Sequence, residues 1–536
     1  MAHAPVTSEA HPASAFGGRK VRHPARLWLL AAGLAATCLL GFGTVSLVNA
    51  HWPYRYRIVK PILEGMLGSQ VQIAHYHRTY FPHPGFVAEE LTLRRKSAPD
   101  QPPLGSVRQL AVQGNWTDLL LLRPRVRLVD LQELHIVIPA PGSRASQEDF
   151  PPGSATDFAG PDTLIERLKV HDALLEIQRA NATALLFPLK ELDIRNFQKG
   201  RANQYVVDMQ NAFPHGHIQS SGNFGPLNAQ NLGLTPVSGT FSFDSVALHE
   251  VGDISGTLAS RGRFRGTLSA IDATADSDTP QFAVDDGKPT PVHASIRCTV
   301  NGLTGEVAMQ QIEVRSAATT ITASGSVAGA PKVTNLDIAV SEGRAQDVLR
   351  PFMHSDVPIT GPVRLRGHAY LGPVQPGVGF LQRLRVDGVF NVPKERATSA
   401  AMEKTLTDFS KRAQTREPDT RQAGEAADVQ ADALSALEGP AQIRDGVVSS
   451  PHLAFAVAGA KADLQGTFRL HDQVVHLTGN LAMQAGISHA VTGFKSLLLK
   501  PLDPFLKKGK AGAVIPIAVV GSPGHYKVTQ DFAHKK

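Results

Sequence analysis

The sequence predicts a mainly β protein, in which an N-terminal transmembrane helix is followed by a long run of antiparallel strands with a few amphipathic helices. Three observations predict it. From Ala462 to Gln484 the apolar residues return at every second position, the period of a strand with one apolar face. The chain holds 47 glycines and 37 prolines but only 6% aromatic residues, a composition of many turns. Finally, 27–48 is a run of 22 residues without a charge, enough for one helical crossing of roughly 30 Å of hydrocarbon.

The N-terminal run comes first in order. Arg19, Lys20, Arg22 and Arg26 precede it, and Arg55, Arg57 and Lys60 follow. That small excess favours a cytoplasmic N-terminus, with 1–26 as a disordered cytoplasmic tail. His51, Trp52, Tyr54 and Tyr56 would form an interfacial belt on the far side. A signal-peptidase site after "VNA" and a lipoprotein box ending at Cys38 are weaker readings, because the apolar run is longer than a signal peptide's. The charge balance is +7 with a pI near 9.3. It is too dispersed for nucleic acid but suits a surface near anionic lipid. Cys38 and Cys298 are the two cysteines, so no disulfide can form within the part beyond the membrane.

Beyond the anchor, strands dominate. Gly-led starts recur, among them "SGTFSF" at Ser238, "RGTLSA" at Arg265, "DGVFNV" at Asp387 and "QGTFRL" at Gln465. Their spacing is irregular, which indicates a loose β-meander rather than a solenoid. The stretches near 141–162 and 272–291, acidic and Pro-rich, read as surface loops. Two departures from β are expected. Met402, Leu406, Phe409 and Ala413 fall on one helical face, with a second helix from Ala426 to Leu437. Near the end, Phe494, Lys495, Leu498 and Lys500 mark a terminal amphipathic helix suited to a membrane surface, limited by Pro501 and Pro504.

Chemistry is sparse. "HEVGD" at His249 lacks the second histidine of a zinc protease, and no nucleophile elbow, phosphate loop or paired-cysteine site occurs. His75, His77 and His83, and His215 with His217, read as exposed polar positions rather than metal ligands. Arginines recur at every second position: Arg261, Arg263 and Arg265, then Arg123, Arg125 and Arg127, Arg364 and Arg366, and Arg383 and Arg385. A solvated outer face that keeps a long sheet from sticking to its neighbours explains all of them. No enzyme, cofactor or metal is expected.

The segment "GPAQIRDGVVSSPHLAFAVAGAKADLQGTFRLHDQVVHLTGNL" from Gly439, with Pro516-Ile517 and Gly521 after it, resembles the C-terminal region of AsmA-like proteins. "LEGMLGSQVQIAHYHRTYFPHPGFVAEELTLRR" resembles that family's opening, while "VVGSPGHYKV" departs from its usual ending. The resemblance implies a single-pass protein of the bacterial inner membrane with its bulk in the periplasm. It also implies a long curved open sheet, a trough whose apolar surface carries phospholipid in outer-membrane biogenesis. The regions would be 51–210, an N-terminal AsmA-like β region; 211–396, a β-meander; 397–438, a helical insertion; and 439–536, the AsmA-like C-terminal region. The candidate lipid-facing residues are Phe241, Phe243, Leu464, Phe468, Leu470, Leu477, Leu481 and Met483. Partners would be the membrane, phospholipid and other envelope proteins. Alternation alone fits stacked sandwiches equally well. A periplasmic scaffold for outer-membrane protein assembly, without lipid cargo, is the alternative function.

Overall fold

The computed structural model describes residues 52–67, 69–94, 103–138, 163–179, 182–198, 200–228, 231–329, 332–357, 359–393, 396–397, 434–457, 460–483, 514–523 and 525–530. The expected transmembrane run 27–48, the helix around Met402 and the terminal helix with Phe494, Lys495, Leu498 and Lys500 lie outside them, as does the loop 141–162. Among the described residues no helix is long and apolar enough to cross a membrane. The chain divides after Pro61 into two units. In the first, Trp52 is buried and meets Tyr54 edge-on at 5.9 Å between ring centroids. Helix α1 (Tyr56–Leu67) runs across the boundary.

The second unit is built on one large, open, curved sheet. Its strands are β1 (Gln70–Thr79), β2 (Gly85–Arg94), β3 (Gly105–Gln113), β4 (Arg125–Ile138), β5 (Leu164–Arg179), β6 (Ala182–Phe197), β7 (Asn203–Ala212), β8 (His215–Phe224) and β9 (Pro236–Ala247). Then come β10 (Ile254–Ser255), β11 (Thr257–Thr267), β12 (Ala270–Val284), β13 (Thr290–Val300), β14 (Val307–Ser316), β15 (Thr319–Val327) and β16 (Thr334–Arg344). The last group is β17 (Ile359–Thr360), β18 (Pro362–Leu371), β19 (Leu384–Val392), β20 (Arg396–Ala397), β21 (Leu434–Arg444), β22 (Val447–Val457), β23 (Ala460–Arg469), β24 (Val475–Met483), β25 (Val514–Gly521) and β26 (Lys527–Gln530). Short helices α2 (Trp116–Leu120), α3 (Ala345–Leu349) and α4 (Phe380–Arg383) sit in the connections. Twenty-four strands share the sheet, while β17 and β20 pair only with each other.

Each strand pairs with its neighbour in the chain, except that β10, β17 and β20 stand beside the main ladder. The short β10 pairs with the end of β12. All pairings are antiparallel but one: β4 and β5 run parallel. The sequence predicts an antiparallel sheet throughout, and the reason for the exception is the long connection 139–163. A parallel neighbour needs a crossover of about a dozen residues or more, which a tight turn cannot supply and this segment can.

Two other expectations are corrected. Residues 272–284 are strand, not loop: Ile271, Ala273 and Ala275 alternate with Asp272, Thr274 and Asp276. The acids sit on the polar face, where Asp272 accepts from Thr299 Oγ1 (2.7 Å) and Asp276 from Ser295 Oγ (2.6 Å). Residues 434–437 are the start of β21, not the end of a helix, because Leu437 is drawn into the ladder opposite Val392 and Phe455.

Curvature follows from local irregularity. Register shifts interrupt the pairing at β9–β11, β12–β13, β13–β14, β14–β15, β16–β18 and β22–β23, and each bulge bends its strand and adds twist. The result is measurable at one place. β12 and β23 stand nine ladder steps apart, roughly 43 Å in a flat sheet at about 4.8 Å per step. Yet His471, just past β23, holds Asp285, just past β12, at 2.7 Å. Partner by partner, Phe468 of β23 aligns with Ala273 of β12. Asp285 lies about a dozen residues further along β12, and His471 about three residues the opposite way along the antiparallel β23. The ends that meet are thus staggered by about 15 residues, as strands tilted in a coiled sheet require. From β12 to β23 the sheet therefore coils on itself.

Candidate functional site, the apolar face of the sheet

Cross-strand partners share a face, so a row of partners can be followed from strand to strand. One row starts at Phe86 and passes through Val112, Val129, Leu168, Ile194 and Tyr205. It continues through the facing pair Gly222 and Gly239 to Phe264, Ala273, Cys298 and Met309. From Gly325 it runs by Leu336, Ala369, Val386, Ile443 and Val448 to Phe468, Val475 and Gly521. No charged side chain stands anywhere along it, from β2 to β25. The row one residue over, on the opposite face, carries Arg167, Arg195, Arg265, Asp272, Arg385, Arg444 and Arg469. Along these two rows the faces differ completely in charge.

A second apolar row flanks the first and includes Leu110, Leu131, Val170, Leu192, Val207 and Phe241. A third contains Leu189, Met209, Ile218 and Phe243. Phe241 and Phe243 are therefore on the apolar face, as the sequence predicts, and both are half-buried.

In the middle of the sheet, aromatic rings lie over glycines. A Cβ built on Gly262 would meet the Phe241 ring at 2.7 Å, one on Gly239 the Phe264 ring at 3.1 Å, and one on Gly216 the Phe243 ring at 2.6 Å. Phe241 and Phe264 tilt against each other with centroids 6.5 Å apart. The glycines let the rings fold down on the backbone, and the floor so formed is broad, flat and apolar. Tyr205 and Phe224 extend it, with centroids 6.2 Å apart. The Tyr205 hydroxyl lies 3.0 Å from Ser220 Oγ, and burial pushes its pKa up despite that bond.

At the C-terminal end the same face is covered. Leu464 (7% exposed) and Leu481 (5%) belong to a core with Val340, Val363, Val392 and Leu437, against which Leu477 also packs. Leu470 (4%) sits in a second core with Val284, Met353, Val357 and Leu381, and Phe468 packs on its edge. Met483 ends β24 opposite Ala460. The covering pieces are the segment from α3 to Val357 and helix α4. The structure thus separates the predicted residues: Phe241 and Phe243 are half-buried on the middle strands, Leu464, Leu470 and Leu481 are buried in the two cores, and Phe468 and Leu477 pack against those cores.

Arg383 is the anchor of this cover, and its place corrects an expectation. Grouped with Arg385 as solvated in the sequence reading, it is only 6% exposed. It donates Nη1–H to the carbonyl of Gly372 at 3.1 Å and Nη2–H to that of Val251. Burial lowers its pKa, against the pull of Asp253. The reason is its position in α4, a single turn that leaves the sheet and points the side chain inward. The other recurring arginines, 261, 263, 265, 123, 125, 127, 364, 366 and 385, are exposed. Those on β11, β18 and β19 stand on the outer face. Arg125 and Arg127 instead share the face of Val129 at the start of β4, where Arg125 lies 3.5 Å from Glu166, and this corrects the expectation that all of them are on the outer face.

The histidine clusters behave as ordinary polar positions. His215 holds Glu250 at 2.7 Å and His217 holds Asp208 at 2.7 Å, while His75 and His77 are exposed.

No protein-family model and no curated protein matches the chain.

Proposed function

We propose that the chain is a membrane-anchored, periplasmic lipid-binding protein of the AsmA-like kind, in which the apolar face of the sheet receives acyl chains. The observation that carries this reading is the uncharged row running from Phe86 to Gly521, half-exposed through the middle strands. Such a face in a monomer is a binding surface by default. Each methylene laid on it contributes about 0.8 kcal/mol, so about a dozen buried methylenes contribute about 10 kcal/mol before the cost of ordering the chain.

Continuity is what distinguishes a conduit from a pocket. The uncharged row from β2 to β25 has a contour of roughly 95 Å at about 4.8 Å per strand, and along its middle strands, outside the covered C-terminal end, no charged step would stall a sliding acyl chain. The glycine pair Gly222–Gly239, and Gly367–Gly388 further on, keep the floor low where a chain would lie. Residues 27–48 would hold the protein in the inner membrane, and the arginine-rich outer face would keep it soluble beside it.

The reading is tested by isolating the full-length protein in detergent and analysing what remains bound after exhaustive washing. Phospholipid should co-purify with the native chain and fall severalfold with Phe241→Asp, a change that leaves the fold in place. Equal lipid in both preparations would contradict it.

A further inference from the structure

We propose that Asp285, His354 and His471 form a zinc site that staples the coiled end of the sheet. Their donor atoms all lie within 4.8 Å of one another. A four-coordinate zinc with bonds of about 2.0–2.1 Å places its donors about 3.4 Å apart, so side-chain shifts on the order of 1 Å complete the site. Two imidazoles and a carboxylate suit zinc, whereas magnesium and calcium favour oxygen alone. Water supplies the fourth position.

Three further details favour a built site over chance. His471 Nδ1 lies 2.7 Å from Asp285 Oδ2, and the His354 and His471 rings meet edge-on at 4.9 Å. His354 Nε2 rests on the main-chain carbonyl of Asp285, the kind of hold that orients ligating histidines and leaves the other ring nitrogen to bind metal. Asp285 and its neighbour Asp286 both adopt left-handed backbone, φ 52° and 59°. Two such non-glycine residues in a row are strained and are kept where the turn is held in place.

The three ligands come from the end of β12, from the segment after α3 and from the turn after β23, separated by 69 and 186 residues in sequence. No spacing motif announces them. Only the coiling of the sheet brings them together, and a metal there would lock that coil shut. The site stands whether or not the sheet carries lipid.

The test uses full-length protein in detergent, stripped with chelator, reloaded with zinc chloride and desalted. Elemental analysis should find one zinc per chain more in the native protein than in His354→Ala or His471→Ala. Cobalt in place of zinc should give the intense visible absorption of a four-coordinate site, lost in both variants. Zinc should raise the melting temperature of the native chain but not of the variants, while His215→Ala keeps the native response. Equal zinc in native and variant protein, or an absent cobalt band, would overturn the proposal. Chelator-stripped variants should melt within a few degrees of stripped native protein, so that loss of metal is not loss of fold.

Discussion

The middle strands and the C-terminal strands carry the same alternation and end in opposite circumstances. On β8, β9 and β11, Phe243, Phe241 and Phe264 lie over glycines with their outer surfaces partly open. On β23 and β24, Leu464 and Leu481 have equivalent places in the ladder but are sealed beneath other side chains. Alternation therefore states which face is apolar and not what covers it. The cover is made by α3, α4 and their flanking turns, segments with no periodicity of their own.

The widest gap between the regions should come from a buried charge. Leu481→Asp should lower stability by more than about 4 kcal/mol, because an unpaired carboxylate is forced into a closed core. Phe241→Asp should cost about 1 kcal/mol, since its carboxylate can reach water. Urea unfolding of both variants measures the contrast, and equal losses would abolish the distinction between covered and uncovered face.

Removing the anchor of the cover comes next. Arg383→Met leaves the carbonyls of Gly372 and Val251 without their donor, at about 2–3 kcal/mol. Amide exchange should rise in 249–253 and 372–383 and stay unchanged in β5 to β9.

A smaller effect is expected on the aromatic floor. The Cβ of Gly262→Ala would lie 2.7 Å from the Phe241 ring and 2.4 Å from the Thr274 carbonyl oxygen. The ring and strand must shift at about 1–2 kcal/mol, and lipid retention should fall without loss of the coiled end.

The smallest effect concerns the outer face. Asp193 is buried and takes a two-pronged contact from Arg167, Nε to Oδ1 at 3.1 Å and Nη2 to Oδ2 at 2.7 Å. That bond holds the Asp193 pKa below the ordinary carboxylate value, against burial. A depressed folded-state pKa means the stabilisation is full above the unfolded value of about 3.9 and lost as pH falls through the lower folded one. Asp193→Asn should cost about 1 kcal/mol at pH 7, and the difference should shrink only in strong acid. A difference that already vanishes near pH 6 would contradict this.

Much of the fold was legible. The period of two picked out β23 and β24, and the arginines at alternate positions marked the outer face on β11 and β18 but not on β4, where Arg125 and Arg127 share the face of Val129. Asp272, Asp276 and Asp278 misled, because acids read as loop residues when their strand partners Thr299, Ser295 and His293 are not visible from sequence. Arg383 misled for a similar reason: its two carbonyl partners are set by how the sheet coils. The parallel β4–β5 pair and the meeting of Asp285, His354 and His471 are likewise consequences of topology, which alternation does not encode. That Phe241 and Phe243 stand on the apolar face was legible from their alternation. The glycines beneath them could have been found too, since Gly262 and Gly239 stand two residues from Phe264 and Phe241.

The most direct measurement places a photo-crosslinking phenylalanine analogue at Phe241, at Leu481 and at Arg263 in turn, irradiates living cells and identifies each adduct by mass spectrometry. The account predicts phospholipid attached at 241, attachment within the chain at 481 and no lipid at 263. Adducts to the chain itself at 241, or lipid at 263 as readily as at 241, would contradict it.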